Sequence, residues 1–481
     1  MYRRTKIVAT LGPASDQNNH LEKMIQAGMN VVRINFSHGS PEEHTSRINQ
    51  VRALGQQHAV SIGILADLQG PKIRIERFIS GSIQLNEGQL FTLDAQHPAD
   101  AGTTERVGIV YKQLVNDVQV GNTLLLDDGR IALMIENVDA SSILCRVLVG
   151  GKLSDRKGIN LQGGGLSAPA LTEKDKIDIV TAAKLGADYL AVSFVKNAGD
   201  IHQARQLFYA AGGTGRIVAK IERAEALVNI DEIIEAADVI MIARGDLGVE
   251  IGDAALPPVQ KRLIQLARTR NRIVITATQM MESMIESPIP TRAEVFDVAN
   301  AVIDGTDAVM LSAETANGRY PDKAIAAMDR ICREVEKQPQ VTHSNHRLDT
   351  RFKRVDEAIA LAAMYIANHL TVRAIATLTY SGSTPLWMSR ISSGLPIFAL
   401  TPNPETCTRL TLYRGVTPIL FAIPQRSHYG QINRMMVEQL KKQNIVQNGD
   451  LVILAKGDYQ HIEDGTNALK IVEVGKLSDF E

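Results

Sequence analysis

Two apolar runs near the middle of the chain end in charge: Ile217-Val218-Ala219-Lys220-Ile221-Glu222 and Val239-Ile240-Met241-Ile242-Ala243-Arg244-Gly245-Asp246. Side chains alternate along a strand, so Lys220 and Glu222 emerge on one face, where neither serves an apolar core unless it meets a ligand or a partner. Two carboxylates on adjacent strands, Glu222 and Asp246, suit Mg²⁺, with Mn²⁺ as the alternative. Such a cation keeps several waters and is held by one or two carboxylates plus substrate phosphates. No His or Cys cluster competes for a softer metal. Arg33, Arg74, Lys157 and Lys220 supply positive charge, and the Gly245-Asp246-Leu247-Gly248 turn offers backbone N–H groups to an anion at a helix start. The implied ligand is small, anionic and phosphorylated, and the implied chemistry is phosphoryl transfer, which needs mainly positioning and charge neutralisation. Taken singly, each motif also reads as charge bounding a strand and touching solvent.

The elements that must position these groups are visible as a period. Short β-branched runs occur at 6–10, 30–35, 61–66, 188–194, 216–221, 238–243, 272–277 and 307–311. Helical patterns follow most of them. Ser40-Pro41-Glu42-Glu43 is a capping box with Pro at the first helical position, and Gly55 is expected to stop that helix. Thr172 with Asp175 opens a helix ending at Gly186, and Thr291 with Glu294 opens one ending at Gly305. Strands alternating with helices argue for a parallel sheet, and eight such units argue for a closed (β/α)8 TIM barrel. Active sites of that fold lie at the C-terminal ends of the strands. There the second strand delivers Arg33-Ile34-Asn35-Phe36-Ser37-His38, the third Asp67, the fifth Lys220 and Glu222, the sixth Arg244-Gly245-Asp246, the seventh Thr278, and the eighth Ser312 and Glu314. Convergence of so many polar groups on one mouth favours a site over independent edge charges.

Between the third and fourth barrel strands, residues 71–167 carry short β patterns at 106–110, 123–126 and 143–147 separated by turns such as Asp127-Asp128-Gly129. This stretch reads as a small all-β domain inserted in a barrel loop, returning through Gly163-Gly164-Gly165, whose backbone freedom suits a hinge. The alternative is an ordinary flexible turn. The barrel then comprises 1–70 and 168–340. Gln338 to Asn345 reads as a linker, and strands near 374–379, 397–401, 417–421 and 450–455, with a helix over 355–370, predict a C-terminal doubly wound α/β domain at 346–481.

Bulk properties narrow the class. The 481 residues are 44% apolar, enough for several packed domains, and Lys plus Arg total 52 against 53 for Asp plus Glu. No overall field exists for a nucleic-acid backbone or an anionic membrane, so phosphate binding must be local. Cys145, Cys332 and Cys407 are odd in number and far apart, which predicts buried structural thiols in a reducing compartment. The basic start breaks at Gly12-Pro13 before an apolar signal run can form, and no run approaches a membrane span, so a cytoplasmic protein is expected.

The residues resemble the pyruvate kinases along nearly the whole chain. The motifs are Lys6-Ile7-Val8 through Leu11-Gly12-Pro13, Arg33 through Gly39, Asp67-Leu68-Gln69-Gly70-Pro71-Lys72-Ile73-Arg74, Lys220-Ile221-Glu222, Ala243 through Gly248, Thr276-Ala277-Thr278-Gln279-Met280-Met281 and Met310 through Thr315. The resemblance implies phosphoryl transfer from phosphoenolpyruvate to ADP, a barrel with an inserted β lid, a C-terminal regulatory domain and a homotetramer. By position, Glu222 and Asp246 resemble the Mg²⁺ ligands, and Lys220 the lysine that steadies the phosphoryl group in flight. Arg33, Gly245, Asp246 and Thr278 resemble the phosphoenolpyruvate contacts, and Asn35, His38, Arg74 and Lys157 the nucleotide contacts. Thr278 and Ser312 resemble residues that deliver a proton to the enolpyruvate, through water.

One departure concerns the monovalent cation. Relatives that bind K⁺ do so through positions matching Asn35, Ser37, Asp67 and the next residue, usually Thr, and carry Glu two residues before the arginine matching Arg74. Here those two positions are Leu68 and Lys72. A lysine ammonium can replace the monovalent charge, so K⁺ is expected to be dispensable. In the C-terminal domain, Thr379-Tyr380-Ser381-Gly382-Ser383-Thr384 follows a strand and leads into a helix. Thr379, Ser381, Gly382, Ser383 and Thr384 there resemble the family's effector-phosphate loop, for a sugar phosphate or an AMP-like nucleotide. Two rival readings are a Mg²⁺-dependent lyase or aldolase of the phosphoenolpyruvate- or pyruvate-binding barrels, which needs neither Lys157 nor Arg74, and a nucleotide-sensing module that only binds.

Overall fold

β-Branched and aliphatic runs flanked by capped helices build a closed barrel of eight parallel strands: Lys6–Thr10, Val31–Asn35, Gly63–Asp67, Tyr189–Val192, Arg216–Ile221, Val239–Ala243, Ile273–Ala277 and Ala308–Leu311. The computed structural model describes residues 2–71, 73–342, 351–424, 429–457 and 465–476. Strand neighbours around the barrel follow chain order, and the first strand closes against the eighth through Lys6↔Ala308 to Ala9↔Leu311. Alternation gives the barrel two faces. Ile7, Ala9, Ile217, Ala219 and Ile221 pack outward against the helices, whereas Val8, Val31, Leu65, Val218, Val239 and Met241 fill the interior. Lys220 is two residues beyond Val218, so it shares the interior face.

The helix starts follow the predicted chemistry. Ser40, Thr172 and Thr291 each close a reciprocal capping box, with Glu43, Asp175 and Glu294. Gly305 ends its helix with φ of 92°, a left-handed value that suits glycine. Gly55 does not end its helix. The element Pro41–Gln57 runs through it, and a Cβ at Gly55 would lie 3.0 Å from the Val60 carbonyl oxygen. Gly55 is therefore a packing glycine that lets the returning chain approach.

Between the third and fourth barrel strands lies a six-stranded all-β sheet with a two-stranded companion, packed around its own core of Ile75, Phe91, Leu93, Leu124, Leu133 and Ile143. Beyond the barrel, Pro339–Thr342 is a short helix with Val341 buried, so this part of the expected linker is ordered packing; His343, Ser344 and Asn345 lie outside the described residues. Among the described residues the C-terminal sheet has five strands, four parallel and one antiparallel, Ala468–Glu473, which the sequence reading misses. This layer docks on the barrel floor: Lys6 Nζ donates to the Val416 carbonyl oxygen at 2.6 Å, and Arg390 pairs with Asp307, both side chains buried. All three cysteines are free and buried. Among the described residues, no helix is long and apolar enough to cross a membrane.

Candidate active site

Four charges gather where the interior faces of the second, third and fifth strands reach the C-terminal mouth. Lys220 Nζ lies 2.9 Å from Glu222 Oε1 and 3.2 Å from Asp67 Oδ1, and it donates to Ser193 Oγ at 2.7 Å. Arg33 Nε donates to Asp67 Oδ2 at 2.6 Å, and Arg33 Nη1 donates to Thr10 Oγ1 at 3.1 Å. Asp67, Glu222 and Lys220 are buried, so two carboxylates and two cations balance within a water-poor pocket. Burial, the largest single influence on Lys220, works against its charge, but Asp67 and Glu222 outweigh it and hold the ammonium above the usual lysine value. For Asp67 burial is again the largest influence and favours the neutral acid, while Lys220 and Arg33 reverse it and hold the carboxyl below its usual range. Both groups are therefore ionised at neutral pH.

The neighbouring strand ends are held by strained backbone. The Glu222 Oε2 accepts the Phe194 N–H at 2.8 Å, and Phe194 has φ of 55°. Thr278 has φ of 65° and Gln279 φ of 53°, values that cost a β-branched or long side chain about 1–3 kcal/mol each and persist where surrounding structure imposes them. What imposes the conformation at Thr278 is a pair of bonds: its Oγ1 accepts the Gly245 N–H at 2.8 Å and donates to the Ala277 carbonyl at 2.7 Å. Gly245, Asp246, Leu247 and Gly248 form the first turns of the helix Arg244–Ile251 and not a separate turn before it. Arg244 itself braces the site from behind, pairing with Asp297 at 2.7 Å and donating to the Thr278 carbonyl oxygen. Ser312 is placed by its own loop, its N–H donating to Glu314 Oε2 at 2.7 Å.

The second strand carries the next group. Asn35 pairs in register with Asp67, its Oδ1 accepts the Ser37 N–H at 3.1 Å, and the His38 N–H turns back to the Asn35 carbonyl oxygen at 3.3 Å. Leu68 is buried, and its carbonyl oxygen accepts the Ser193 hydroxyl at 2.8 Å. Lys72 lies outside the described residues.

The β-sheet domain closes over this mouth. A cleft of about 210 Å³ is lined from the lid by Arg74, Lys157 and Asp127, and from the barrel by Phe194, Asp246 and Glu250. Arg74 Nη1 donates to the Arg156 carbonyl oxygen at 2.8 Å, and Lys157 pairs with Asp127 at 2.6 Å. Burial pushes the Glu250 carboxyl up to about 7, with Glu225 and Asp246 adding to the rise. Ser193, Phe194, Asp127 and Glu250 are site neighbours that the sequence reading does not single out. Ser193 and Phe194 follow the fourth strand directly, and a mouth position is the signal that would have found them.

The carboxylate set fits a hard divalent cation. Glu222 and Asp246 carry oxygen donors only, and among the described residues no group of three or more His, Cys, Asp or Glu forms a closed cage. Such a cation takes the remainder of its shell from water and substrate.

In the C-terminal domain, Thr379 Oγ1 accepts the Gly382 N–H at 2.9 Å, Ser381 Oγ lies 2.8 Å from Ser383 Oγ, and the buried Thr384 hydroxyl meets Thr466 at 2.6 Å. Ser381, Gly382 and Ser383, with Tyr413 of the same domain, border a cavity of about 140 Å³ shared with Arg216 and Arg272 on the barrel side.

Two family models match the chain, "Pyruvate kinase, barrel domain" over residues 2–325 and "Pyruvate kinase, alpha/beta domain" over residues 357–472. A pyruvate kinase of Haemophilus influenzae is 55% identical over 95% of this chain and 96% of its own length. Pyruvate kinase II of Salmonella typhimurium is 55% identical over 98% of this chain and 99% of its own, and a pyruvate kinase of Mycobacterium tuberculosis is 40% identical over 99% of each. With the barrel, the β lid and the α/β layer in the family's order and the charged mouth at the strand ends, the chain belongs to the pyruvate kinase family and is a phosphotransferase of that kind.

Proposed function

We propose the following division of labour for moving the phosphoryl group of phosphoenolpyruvate to ADP, giving pyruvate and ATP. The observation that carries it is the buried Lys220 ammonium, held between Asp67 and Glu222 at the last interior position of its strand. A cation fixed there meets negative charge as it spreads over the phosphoryl oxygens in transit, and it needs no reorganisation at that moment. Arg33, steered by Asp67, and the Gly245 and Asp246 backbone with Thr278 bind and orient phosphoenolpyruvate. Asn35, His38, Arg74 and the lid residue Lys157 bind the nucleotide phosphates, so lid closure completes the site and excludes water. Thr278 and Ser312 pass a proton to the enolpyruvate carbon through water. Glu222 and Asp246 hold Mg²⁺ or Mn²⁺. When bound, that cation would neutralise charge on the substrate phosphates. The segments 1–70 with 168–340, 71–167 and 346–481 act as catalytic barrel, lid and regulatory unit.

Two finer readings accompany this one. Asn35, Ser37 and Asp67 mark the monovalent-cation position, and with Leu68 and Lys72 in place of Thr and Glu the enzyme works without K⁺. The loop bearing Thr379, Ser381, Gly382, Ser383 and Thr384 takes the phosphate of a sugar-phosphate or AMP-type effector, supported by its cluster of hydroxyls and the facing Arg216 and Arg272. A cytoplasmic homotetramer is the assembly and setting that fit the family. A lyase or aldolase reading is not favoured, because it gives no work to Arg74 and Lys157 in the cleft. The test of the assigned roles is the Mg²⁺ concentration for half-maximal rate. Glu222→Gln and Asp246→Asn should each raise it at least about tenfold, the loss expected on removing one charged ligand; unchanged Mg²⁺ dependence in both would refute the assignment.

A further inference from the structure

The chain leaves the lid and re-enters the barrel within a few residues, and the hydrogen bonds change hands there. The Gln162 N–H donates to the Thr123 carbonyl and the Gly164 N–H to the Leu161 carbonyl, both 3.0 Å and both within the lid. The Gly163 N–H instead donates to the Glu250 carbonyl oxygen at 3.0 Å, and the Gly165 N–H to Glu225 Oε1 at 2.5 Å, both on the barrel. Arg223 Nη1 then donates to the Leu166 carbonyl oxygen at 3.1 Å. Gly163, Gly164 and Gly165 have φ of 85°, 82° and 108°, a run of left-handed conformations that L side chains rarely adopt. A Cβ on Gly164 would come within 2.5 Å of Glu225 Oε2. That oxygen is buried with no hydrogen-bond partner, so the carboxylate is held against the strap at the cost of one unsatisfied acceptor.

The barrel side of this joint is built from the two segments that carry the cation carboxylates. Glu225 follows Glu222 by three positions, and Glu250 follows Asp246 by one helical turn on the helix Arg244–Ile251. Glu250 Oε2 accepts the Ala224 N–H at 2.7 Å, which ties the two segments to each other directly beneath the strap. Pivot and cation site therefore share one frame.

We infer that Glu225 is a positioning residue: with Glu250 it seats the lid's return strap, and so sets where the closed lid places Lys157 and Arg74 relative to the divalent cation. This rests on the nucleotide and cation roles proposed above. Removing the seat lets the strap, and the lid with it, settle wrongly over ADP while the barrel residues that meet phosphoenolpyruvate keep their places. The expected signature is specific to the nucleotide.

The test uses the full chain in a pyruvate-formation assay at saturating Mg²⁺. Glu225→Ala should lower kcat/KM for ADP by about tenfold to a hundredfold, the range for losing one hydrogen bond to a charged group, with KM for phosphoenolpyruvate within about twofold of the unaltered enzyme. Glu225→Gln keeps the acceptor oxygen and should recover to within about threefold. Gly164→Ala leaves Glu225 in place but drives the strap off it, and should reproduce the ADP effect. The inference is overturned if Glu225→Gln is as impaired as Glu225→Ala, if both substrates lose affinity equally, or if a folded Gly164→Ala enzyme keeps its KM for ADP. The last arm decides even where Glu225→Ala does not fold. Failure of the unaltered chain to require ADP would instead sink the site reading, so the two failures are told apart.

Discussion

Replacing Lys220 by Met removes a cation that touches both Asp67 and Glu222, and the structure allows its two consequences to be separated. The first is stability. Lys220 Nζ lies 2.9 Å from Glu222 and 3.2 Å from Asp67 in a buried pocket, and breaking such a pair by deleting one partner costs about 3–5 kcal/mol because a charge is left uncompensated. Asp67 still keeps Arg33 at 2.6 Å, so Glu222 bears most of that cost. The second is rate. A cation positioned on a phosphoryl group in transit is worth about 10³–10⁵ in kcat. At about 1.4 kcal/mol per tenfold this is about 4–7 kcal/mol of the barrel mouth's stabilisation of the transition state. Coupled measurement of pyruvate formation, beside denaturant unfolding, reads both. Lys220→Met should be nearly inactive with phosphoenolpyruvate binding retained. The double variant Lys220→Met with Glu222→Gln, which removes the carboxylate left uncompensated, should regain stability and none of the turnover. A single variant slowed less than about tenfold, or turnover that returns with stability in the double variant, would refute a direct role for Lys220.

In buffers free of K⁺ the rate should stay within about twofold of that with K⁺ added, on the proposal that the ammonium of Lys72 takes the place of the monovalent charge; activity that vanishes without K⁺ and returns on its addition would overturn this. Changing Ser383 and Thr384 together to Asp should abolish activation by sugar phosphates and AMP-like nucleotides, since like charge repels a phosphate from that loop, while basal turnover in the distant barrel mouth is kept. Activation that survives for every such effector would refute an effector-phosphate role for the loop.

Much of the catalytic mouth is legible in the sequence because barrel strands are covered on both faces. A charge inside an apolar run, as at Lys220, then has nowhere to go but a site. Capping boxes at Ser40, Thr172 and Thr291 likewise act over a few residues, so their chemistry can be read locally. What escapes reading is tertiary. Gly55 carries the composition of a helix stop yet continues its helix, because the constraint is the approach of Val60 from outside the element. The edge strand Ala468–Glu473 hides because exposure falls on both of its faces: Lys470 and Ile471 are exposed in succession and only Val472 is buried, which blurs a period of two. Phe194 acquires its left-handed backbone from its place beside Glu222, which no local pattern encodes. Glu225 and Glu250 look like ordinary helix-face carboxylates until the lid strap is seen resting on them.

If this mouth passes a phosphoryl group to a nucleotide, the lid and a divalent cation are both required. Pyruvate and ATP should therefore be followed together from phosphoenolpyruvate, with ADP and Mg²⁺ each present or omitted. One ATP should appear for each pyruvate, and omission of either ADP or Mg²⁺ should stop both. Pyruvate released at an undiminished rate without ADP, with inorganic phosphate in place of ATP, would contradict phosphoryl transfer to a nucleotide at this mouth.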